Sequence, residues 1–281
     1  MVRKVYHIPN KHNEDIALDL RFEEGSRDVP TIIILHGFKG FKDWGFFPDL
    51  GRRLTQAGYA TVCFNFSRNG IGANPEEFSE LDKFAENSYS HELDDVKTVI
   101  QAIESGSIGK NIIDCERLGI VGHSRGGAVA LLSVRELDDR FMAVTTWATI
   151  GNLYRYSKDE VVQWEERGYI EIKNTRTGQM MRINKSFWED LQANRERFDL
   201  PQAVRELEIP ALFIHGADDT SVPPKESEEL YERCGSFQKK LEIIESAGHT
   251  FGIRHPFEMP TQEYELAVNL TENWFDRHLN V

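Results

Sequence analysis

The sequence feature that most constrains the fold is the segment Leu118–Gly127, in which a short apolar run meets Gly-His-Ser-Arg-Gly. A helix-favouring run begins directly afterwards at Ala128. A strand, a sharp turn at a serine and a helix in this order are typical of a nucleophile elbow, whose backbone is strained at the serine. Gly122 and Gly126 stand where a side chain would collide with neighbouring backbone. We therefore expect Ser124 to project its hydroxyl above a sheet, at the positive end of the helix.

Two later loops could supply the partners that a serine nucleophile needs, a base and a carboxylate that orients it. The segment His215–Pro223 follows one buried apolar run, and Ser246–Phe251 follows the next. The carboxyl ends of parallel strands meet at one edge of a sheet, where ligands bind. The order Ser124, Asp219, His249, each just past a strand, therefore predicts a catalytic triad. The alternative is a glycine-rich turn with an incidental serine, and it gives no reason for these partners.

Apolar runs and helical periods alternate along most of the chain, as in proteins whose parallel sheet is covered on both faces. Thr31–Leu35 has no polar alternation, which is typical of a strand buried on both faces. His91–Ser105 carries apolar residues at a helical period. Beside the strand and helix of the elbow, we predict strands at 5–8, 16–22, 60–66, 143–147, 209–215 and 241–244, helices at about 46–57, 224–234 and 261–279, and a long loop at 67–90.

These elements predict an α/β fold with a mostly parallel central sheet of about eight strands flanked by helices. The alternation breaks after Gly151, and no further buried strand follows until Ile209. A chain of 281 residues lies near the upper limit for one hydrophobic core, so one domain with an insertion is compatible with this length. We predict a core domain at 1–151 and 209–281, with a cap at 152–208 inserted after the sixth strand.

Composition and charge exclude several classes of protein. With 40% hydrophobic and 28% charged residues, the chain has the composition of an ordinary globular protein. Its net charge of −13 argues against binding nucleic acid or an anionic membrane surface, which require basic patches. No apolar run approaches the roughly 18 residues of a membrane span. We expect a small-molecule ester as the partner, no nucleic acid and no membrane, and a homodimer is compatible with the sequence.

The cysteines and the start of the chain bear on the compartment. Cys63, Cys115 and Cys234 are far apart and have neither disulfide-framework nor zinc-ligand spacing. Buried free thiols in a reducing compartment are the expectation. The first residues lack the apolar core of a signal peptide. We expect a cytoplasmic protein.

The motifs together resemble the α/β-hydrolase superfamily over nearly the whole chain. His36-Gly37-Phe38 resembles the oxyanion loop, and Ser124 matches the elbow. His215-Gly216-x-x-Asp219-x-x-Val222-Pro223 resembles the acid loop, and Gly248-His249 resembles the histidine loop. The compact form with its insertion is similar to bacterial cinnamoyl and feruloyl esterases and related serine peptidase-like hydrolases. The resemblance implies a serine hydrolase that needs no metal and no organic cofactor.

The acid and the base each have a rival. Counting along the acid-loop motif favours Asp219, with Asp218 as a solvated or capping residue. His255 precedes a proline in a turn, and His278 stands near a helix C-terminus, where a cation is merely stabilising. We expect His36 to be a structural loop residue.

The resemblance assigns the oxyanion hole to the backbone N–H groups of Phe38 and Arg125. Their side chains are therefore less constrained by the chemistry. The Arg125 side chain either places a positive charge near the pocket or packs along the helix at the surface.

Three functions remain open from the sequence. The first is a carboxylic ester hydrolase of carboxylesterase type, and the second is a peptidase or amidase with the same triad. The third is a hydrolase-fold binding protein without catalysis, against which an intact triad argues.

The segment 152–208 is rich in aromatic residues, which predicts a cap that decides the substrate. A hairpin is predicted around 174–178, between two short alternating runs. The alternative is that the aromatics build a small core of their own. As substrate-binding residues we predict Trp147, Tyr154, Trp164, Tyr169 and Trp188.

Overall fold

The computed structural model describes residues 1–74, 77–137 and 139–280. The strands are β1 (Val2–Pro9), β2 (Asp15–Phe22), β3 (Val29–Leu35), β4 (Ala60–Phe64), β5 (Ile113–His123), β6 (Ala143–Trp147), β7 (Tyr169–Lys173), β8 (Met180–Asn184), β9 (Ala211–Gly216) and β10 (Lys239–Ile244). The helices are α1 (Phe47–Gln56), α2 (Leu81–Ala85), α3 (Tyr89–Glu104), α4 (Arg125–Glu136), α5 (Lys158–Arg167), α6 (Lys185–Ala193), α7 (Leu200–Arg205), α8 (Lys225–Arg233) and α9 (Gln262–Leu279).

The main sheet has eight strands in the order β1-β2-β4-β3-β5-β6-β9-β10. The strands from β4 to β10 run parallel, and β1 and β2 join antiparallel at one edge. This confirms the predicted α/β fold and its mostly parallel sheet. Because β3, β5, β6 and β9 are neighbours, the loops at their carboxyl ends converge on one edge of the sheet.

Both faces of the sheet are buried, as the unalternating apolar strands require. Along β3, Ile33 and Leu35 pack into the core under α3 and α4, whereas Ile32 and Ile34 pack into the core under α1 and α9. The two cores therefore pack on opposite faces of the sheet and hold the strand ends in fixed positions. None of the helices in the described parts of the chain combines the length and the apolar character that a membrane span needs.

The structure differs from the sequence prediction in local ways. The predicted loop 67–90 contains the short helix α2, whose Phe84 is buried, and α3 begins two residues earlier than predicted. Strand β4 ends at Phe64, before the predicted end. Cys63 and Cys234 are buried free thiols, but Cys115 is exposed, so the expectation of burial was wrong for that residue.

The residues 152–208, which we call the inserted segment, lie between β6 and β9 and contain α5, the β7–β8 hairpin, α6 and α7. Their buried residues continue the core under α3 and α4, and the indole N–H of Trp164 donates to the Ile183 carbonyl at 2.9 Å. The segment is also hydrogen-bonded to Phe78 and to the start of α3. Gln179 exchanges two hydrogen bonds with the backbone of Phe78, and Ser90 Oγ donates to Asp190 at 2.6 Å. It therefore stands against the edge of the sheet where the loops converge.

Candidate active site

Ser124 lies in the sharp turn between β5 and α4 and has the strained backbone that the motif predicts. Its φ is +56° and its ψ is −121°, a conformation that non-glycine residues rarely adopt. A Cβ on Gly122 would lie 2.1 Å from the carbonyl oxygen of Gly126, and a Cβ on Gly126 would lie 2.5 Å from that of His36. Only glycine fits at these two positions, so the sequence Gly-x-Ser-x-Gly forms this turn for steric reasons.

Three predicted site residues form one hydrogen-bonded chain. Ser124 Oγ is 3.0 Å from His249 Nε2, and His249 Nδ1 is 2.7 Å from Asp219 Oδ2. These are the lengths of ordinary hydrogen bonds, and they join side chains that are 30 and 125 residues apart and follow the ends of β5, β9 and β10. The arrangement can move a proton from the serine hydroxyl to the imidazole while the carboxylate holds the ring.

Both carboxylate oxygens of Asp219 accept hydrogen bonds from the protein. Its Oδ1 accepts the amides of Ser221 and Val222 at 2.8 and 2.9 Å, and its Oδ2 also accepts from His215 Nε2 at 3.2 Å. Burial alone would raise the pKa of Asp219, but the hydrogen bonds from His215 and His249 outweigh it and lower that pKa well below its usual range. Asp219 is therefore ionised and accepts from His249 Nδ1–H.

The rivals of the acid and the base lie elsewhere. Asp218 is exposed to solvent, while its neighbour turns inward. His255 Nδ1 accepts the Gly45 amide at 3.0 Å, and His278 packs on Trp274 with ring centroids 4.5 Å apart. Of the candidates for acid and base, the structure places only Asp219 and His249 in the chain to the serine.

Two further histidines are buried beside the site and act on its backbone. His123 Nε2 donates to the carbonyl oxygen of His249 at 2.8 Å. His36 Nδ1 donates to the carbonyl of Gly37 at 2.9 Å, and its Nε2 accepts the amide of Phe66 at 3.3 Å. Burial lowers the pKa of His36 to about 4 and, with the charge of His249, that of His123 to about 3. Both rings therefore stay neutral, and their hydrogen bonds hold the backbone of the loops beside the site.

The loop after β3 lies directly against the serine. A Cβ on Gly37 would lie 3.0 Å from Ser124 Cβ, which places the Phe38 backbone next to the hydroxyl. Arg125 is the first residue of α4, and the first amides of a helix have no helical acceptor. The residues predicted for the oxyanion hole thus flank Ser124 from two sides, which is the placement that the assignment requires.

Two cavities meet at the serine and share four lining residues, Phe38, Lys39, Ser124 and His249. The first cavity holds about 270 Å³ and extends towards the β7–β8 turn. Its other lining residues are Gly37, Gly40, Trp44, Phe47, His123, Asn174, Thr175, Arg176 and Thr250. The second cavity holds about 350 Å³. Its other lining residues are Tyr89, Arg125, Ile150, Arg155, Tyr156, Ser221 and Val222.

The structure places none of the five predicted substrate-binding residues among the described residues that line these cavities. Trp147 lies in the core on the α9 side, where its indole N–H donates to Thr271 Oγ1 at 2.9 Å. Trp164 is buried inside the inserted segment, and Trp188 stacks on it at 5.7 Å. Trp147 and Trp164 are part of the two hydrophobic cores.

The two predicted tyrosines are also engaged elsewhere. The hydroxyl of Tyr154 donates to the Leu191 carbonyl at 2.6 Å, and the ring of Tyr169 lies under the guanidinium of Arg182 at 4.3 Å. An aromatic residue in an insertion is as useful for packing as for binding, so residue type alone could not separate the two roles.

Arg125 takes a position that neither sequence alternative describes in full. Its side chain borders the second cavity, yet it is 6% exposed, and its Nε donates to Glu92 Oε2 at 2.9 Å. Its guanidinium lies over the ring of Tyr89 at 4.1 Å. The sequence contains one signal for the pair of Arg125 and Glu92, since Glu92 shares the buried face of its helix with Val96 and Val99. An acid on a buried face calls for a cationic partner.

Comparison with known proteins places the chain among hydrolases. The model of the prolyl oligopeptidase family matches residues 53–281. An uncharacterised 31.7 kDa protein of Escherichia coli is 23% identical, over 96% of this chain and 98% of its own length. A putative esterase of Bacillus subtilis, YitV, is 22% identical over 92% of each chain.

A solved structure supports the fold. Est1E from Butyrivibrio proteoclasticus, with ferulic acid bound, superposes with a TM-score of 0.76 and is 18% identical, covering 98% of this chain and all of its own. The likeness at this identity concerns the fold, and it confirms the resemblance to the α/β-hydrolases.

Proposed function

This chain belongs to the prolyl oligopeptidase family, and from that premise we propose that it is a serine carboxylic ester hydrolase acting on small or aromatic acyl groups. It is a hydrolase of the α/β-hydrolase superfamily, with esterases and peptidases among its relatives. The observation that carries the proposal is the hydrogen-bonded chain from Ser124 through His249 to Asp219 at a strained elbow. A receptor has no need for a base and an acid aligned with a serine, which argues against a binding protein without catalysis.

In the proposed mechanism, His249 removes the hydroxyl proton of Ser124 as its oxygen attacks the carbonyl carbon of the ester. The negative charge on the carbonyl oxygen is stabilised by the amides of Phe38 and Arg125, each worth about 3 kcal/mol in enzymes of this type. Asp219 keeps the proton of His249 on Nδ1 and stabilises the imidazolium. The alcohol leaves with the proton from Nε2, and the acyl group stays on the serine. Water then repeats the sequence and releases the acid.

The two cavities favour small substrates. At about 270 and 350 Å³ they lie near the lower limit for ligand pockets, so each suits an aromatic ring or a short chain better than a long fatty chain. Trp44 and Phe47 line the first, which gives an aromatic acyl group apolar contacts. A cinnamoyl- or feruloyl-esterase-like preference is the finer form of this proposal.

A peptidase or amidase is the second candidate, because the same triad cleaves both bonds and the family is named for its peptidases. An ester and an amide of the same acyl group separate the two candidates. We expect the ester to be hydrolysed and the amide to be inert at the same enzyme concentration. Turnover of the amide with a kcat/KM close to that of the ester would favour the peptidase.

The central test is Ser124→Ala, assayed with 4-nitrophenyl esters of rising acyl length beside methyl ferulate. Removing a triad member lowers the rate by about 10⁴–10⁶, so we expect ester turnover to disappear in a folded variant. A fluorophosphonate probe should label the wild-type protein and leave the variant unlabelled. If the pure variant keeps more than a tenth of the wild-type activity, Ser124 is not the nucleophile.

A further inference from the structure

The charged side chains that line the two cavities at Ser124 have the opposite sign to the net charge of the chain. The protein has 46 acidic and 33 basic residues. Yet the described residues that line the two cavities include four basic side chains, Lys39, Arg125, Arg155 and Arg176, and no acidic one. A cleft lined by one sign of charge focuses the field and attracts ligands of the opposite sign. The lining therefore favours an anionic substrate.

The second cavity contains three of these four cations. Arg155 is partly exposed and lies 3.3 Å from Glu226, and the amine of Lys39 lies 5.7 Å from the centre of the Phe38 ring. Lys39 also donates to the Lys173 carbonyl at 3.4 Å. Arg125 differs from them because it is buried and its guanidinium lies against aromatic rings.

Most of the hydrogen-bonding capacity of Arg125 is unused. A guanidinium has five N–H donors, and within the described residues only the Nε–H is engaged, with Glu92. Its Nη2 is buried without any hydrogen-bond partner. Glu92 is shared as well, since its other oxygen accepts from Asn87 at 2.8 Å. A buried donor without a partner is unfavourable, and Arg125 lines the second cavity, so a ligand there could satisfy the guanidinium.

The surroundings of the guanidinium select a flat anion. The rings of Tyr89, Phe187 and Phe38 lie 4.1, 5.1 and 5.4 Å from its central carbon. They surround part of the group, and its N–H donors all lie in one plane. The planar fork of arginine matches a carboxylate in that plane.

We propose that the second cavity is a subsite for a carboxylate carried by the substrate, and that Arg125 binds it while Lys39 and Arg155 add positive potential. This inference rests on the proposed ester hydrolysis, because it names the class of substrate for the same serine. The substrate is then an ester whose acyl or alcohol part ends in a carboxylate a few bonds from the scissile carbonyl.

A purely structural role for Arg125 makes a different prediction. Arg125 joins the elbow, α3 and α6, because it touches Glu92 and Phe187. If that were its whole role, its loss would lower turnover of charged and neutral esters alike. The ratio of kcat/KM between a charged and a neutral ester of matched shape separates the two roles, since general damage to the site cancels in it.

The experiment uses two pairs of substrates. In the acyl pair, mono-(4-nitrophenyl) glutarate is compared with 4-nitrophenyl pentanoate, and in the alcohol pair, 4-acetoxybenzoate is compared with its methyl ester. We expect the wild-type protein to prefer the anionic member of one pair by at least about tenfold. The preferred pair tells which part of the substrate enters the second cavity.

Arg125→Gln should lower that preference by about tenfold or more, while Arg140→Gln should leave it unchanged. Arg140 is a matched control because it forms a surface ion pair with Glu104 at 2.9 Å and lines neither cavity. The proposal is overturned if the wild-type protein prefers the anion in neither pair, or if Arg125→Gln keeps the preference within twofold.

A second variant covers the case in which Arg125→Gln does not fold. Lys39→Gln combined with Arg155→Gln changes two side chains that line the second cavity and leaves Glu92 paired. We expect the anion preference to fall by about threefold and to lose most of its salt dependence. An unchanged preference with an unchanged salt dependence contradicts the proposal.

A binding measurement keeps the subsite independent of catalysis. Calorimetry on Ser124→Ala, with monomethyl glutarate and dimethyl glutarate as probes, should show binding of the monoanion at least about tenfold tighter. Equal affinities overturn the subsite. Turnover of 4-nitrophenyl pentanoate and fluorophosphonate labelling test the proposed ester hydrolysis alone. The ester hydrolysis and the carboxylate subsite can therefore be refuted separately.

Discussion

His123 Nε2 donates a 2.8 Å hydrogen bond to the carbonyl oxygen of His249, so the residue before the proposed nucleophile holds the main chain of the proposed base. A carbonyl oxygen only accepts, and the proton therefore resides on Nε2. The two rings also pack with centroids 4.8 Å apart. The elbow and the histidine loop are thus joined twice, once from Ser124 to the His249 side chain and once from His123 to the His249 backbone.

The buried neutral histidines predict a loss of stability in acid. Burial lowers the pKa of His36 to about 4 and that of His123 to about 3, while in the unfolded chain both stay near 6.5. Below pH 6.5 the unfolded state binds protons that the folded state does not. The free energy of unfolding should therefore fall as the pH is lowered from 6.5 to about 4, by up to about 1.4 kcal/mol per pH unit for each histidine.

Urea unfolding at several pH values between 4 and 8 measures this slope. His36→Gln should make the slope shallower, even though the variant is less stable overall, because one of the two groups is gone. His12→Gln is the control, since His12 is exposed. If the slope is the same in His36→Gln, His36 does not contribute to the pH dependence of the free energy of unfolding.

The two adjacent aspartates of the acid loop should differ in effect. Asp219→Asn should lower kcat by about 10⁴, because an amide cannot hold the proton of His249 on Nδ1 as a carboxylate does. Asp218→Asn should stay within about threefold of the wild type, since Asp218 is exposed. Steady-state kinetics on both variants, with circular dichroism to verify folding, gives the comparison. Equal losses would mean that Asp219 does not act on His249.

The sequence predicted most of the frame of the candidate site, because steric and topological rules act locally there. Gly122 and Gly126 follow from the crowding at the elbow, and the loops of Asp219 and His249 follow from the ends of parallel strands. What could not be predicted depends on packing between distant segments. The contact of Tyr89 with Arg125 joins residues of two helices, and nothing in either local pattern specifies it.

The same limit applies to the inserted segment. The hairpin was predictable, because alternation and turn residues mark it, and it forms with Ile170 opposite Ile183. Which aromatic side chains face the serine depends on how the segment docks on the core. Two of its polar contacts are made by Gln179 and Asp190 with residues of the 67–90 region, which the sequence analysis treated as a loop.

The two loops that carry the acid and the base must approach closely, which predicts a contrast between two glycines. A Cβ on Gly216 would lie 2.3 Å from the carbonyl oxygen of Ala247, whereas a Cβ on Gly248 meets nothing within 4 Å. Gly216→Ala must push the loops apart, and a shift of about 1 Å in a catalytic group can cost about 10² in rate. Gly248→Ala should retain most of the activity. Comparable kcat/KM values for the two variants would contradict this account.

The inserted segment should influence the substrate through Tyr156 rather than through its tryptophans. Tyr156 lines the second cavity and packs on Trp164 at 4.8 Å, while Trp188 stacks on the same ring at 5.7 Å and lines neither cavity. Tyr156→Ala removes a wall of the cavity. We expect it to change the ratio of kcat/KM between aromatic and short aliphatic esters by about threefold or more, because apolar pocket contacts discriminate by about 1–3 kcal/mol.

Trp188→Ala is the matched control, since it removes an aromatic ring from the same cluster. It should lower the free energy of unfolding by about 1–3 kcal/mol and leave the substrate ratio unchanged, because its loss leaves a gap in packing and not in the cavity wall. The ratio is measured across 4-nitrophenyl acetate, butanoate and benzoate for both variants. If Tyr156→Ala also keeps the wild-type ratio, the inserted segment stabilises the fold without selecting the acyl group, and specificity lies with Trp44 and Phe47 on the core side.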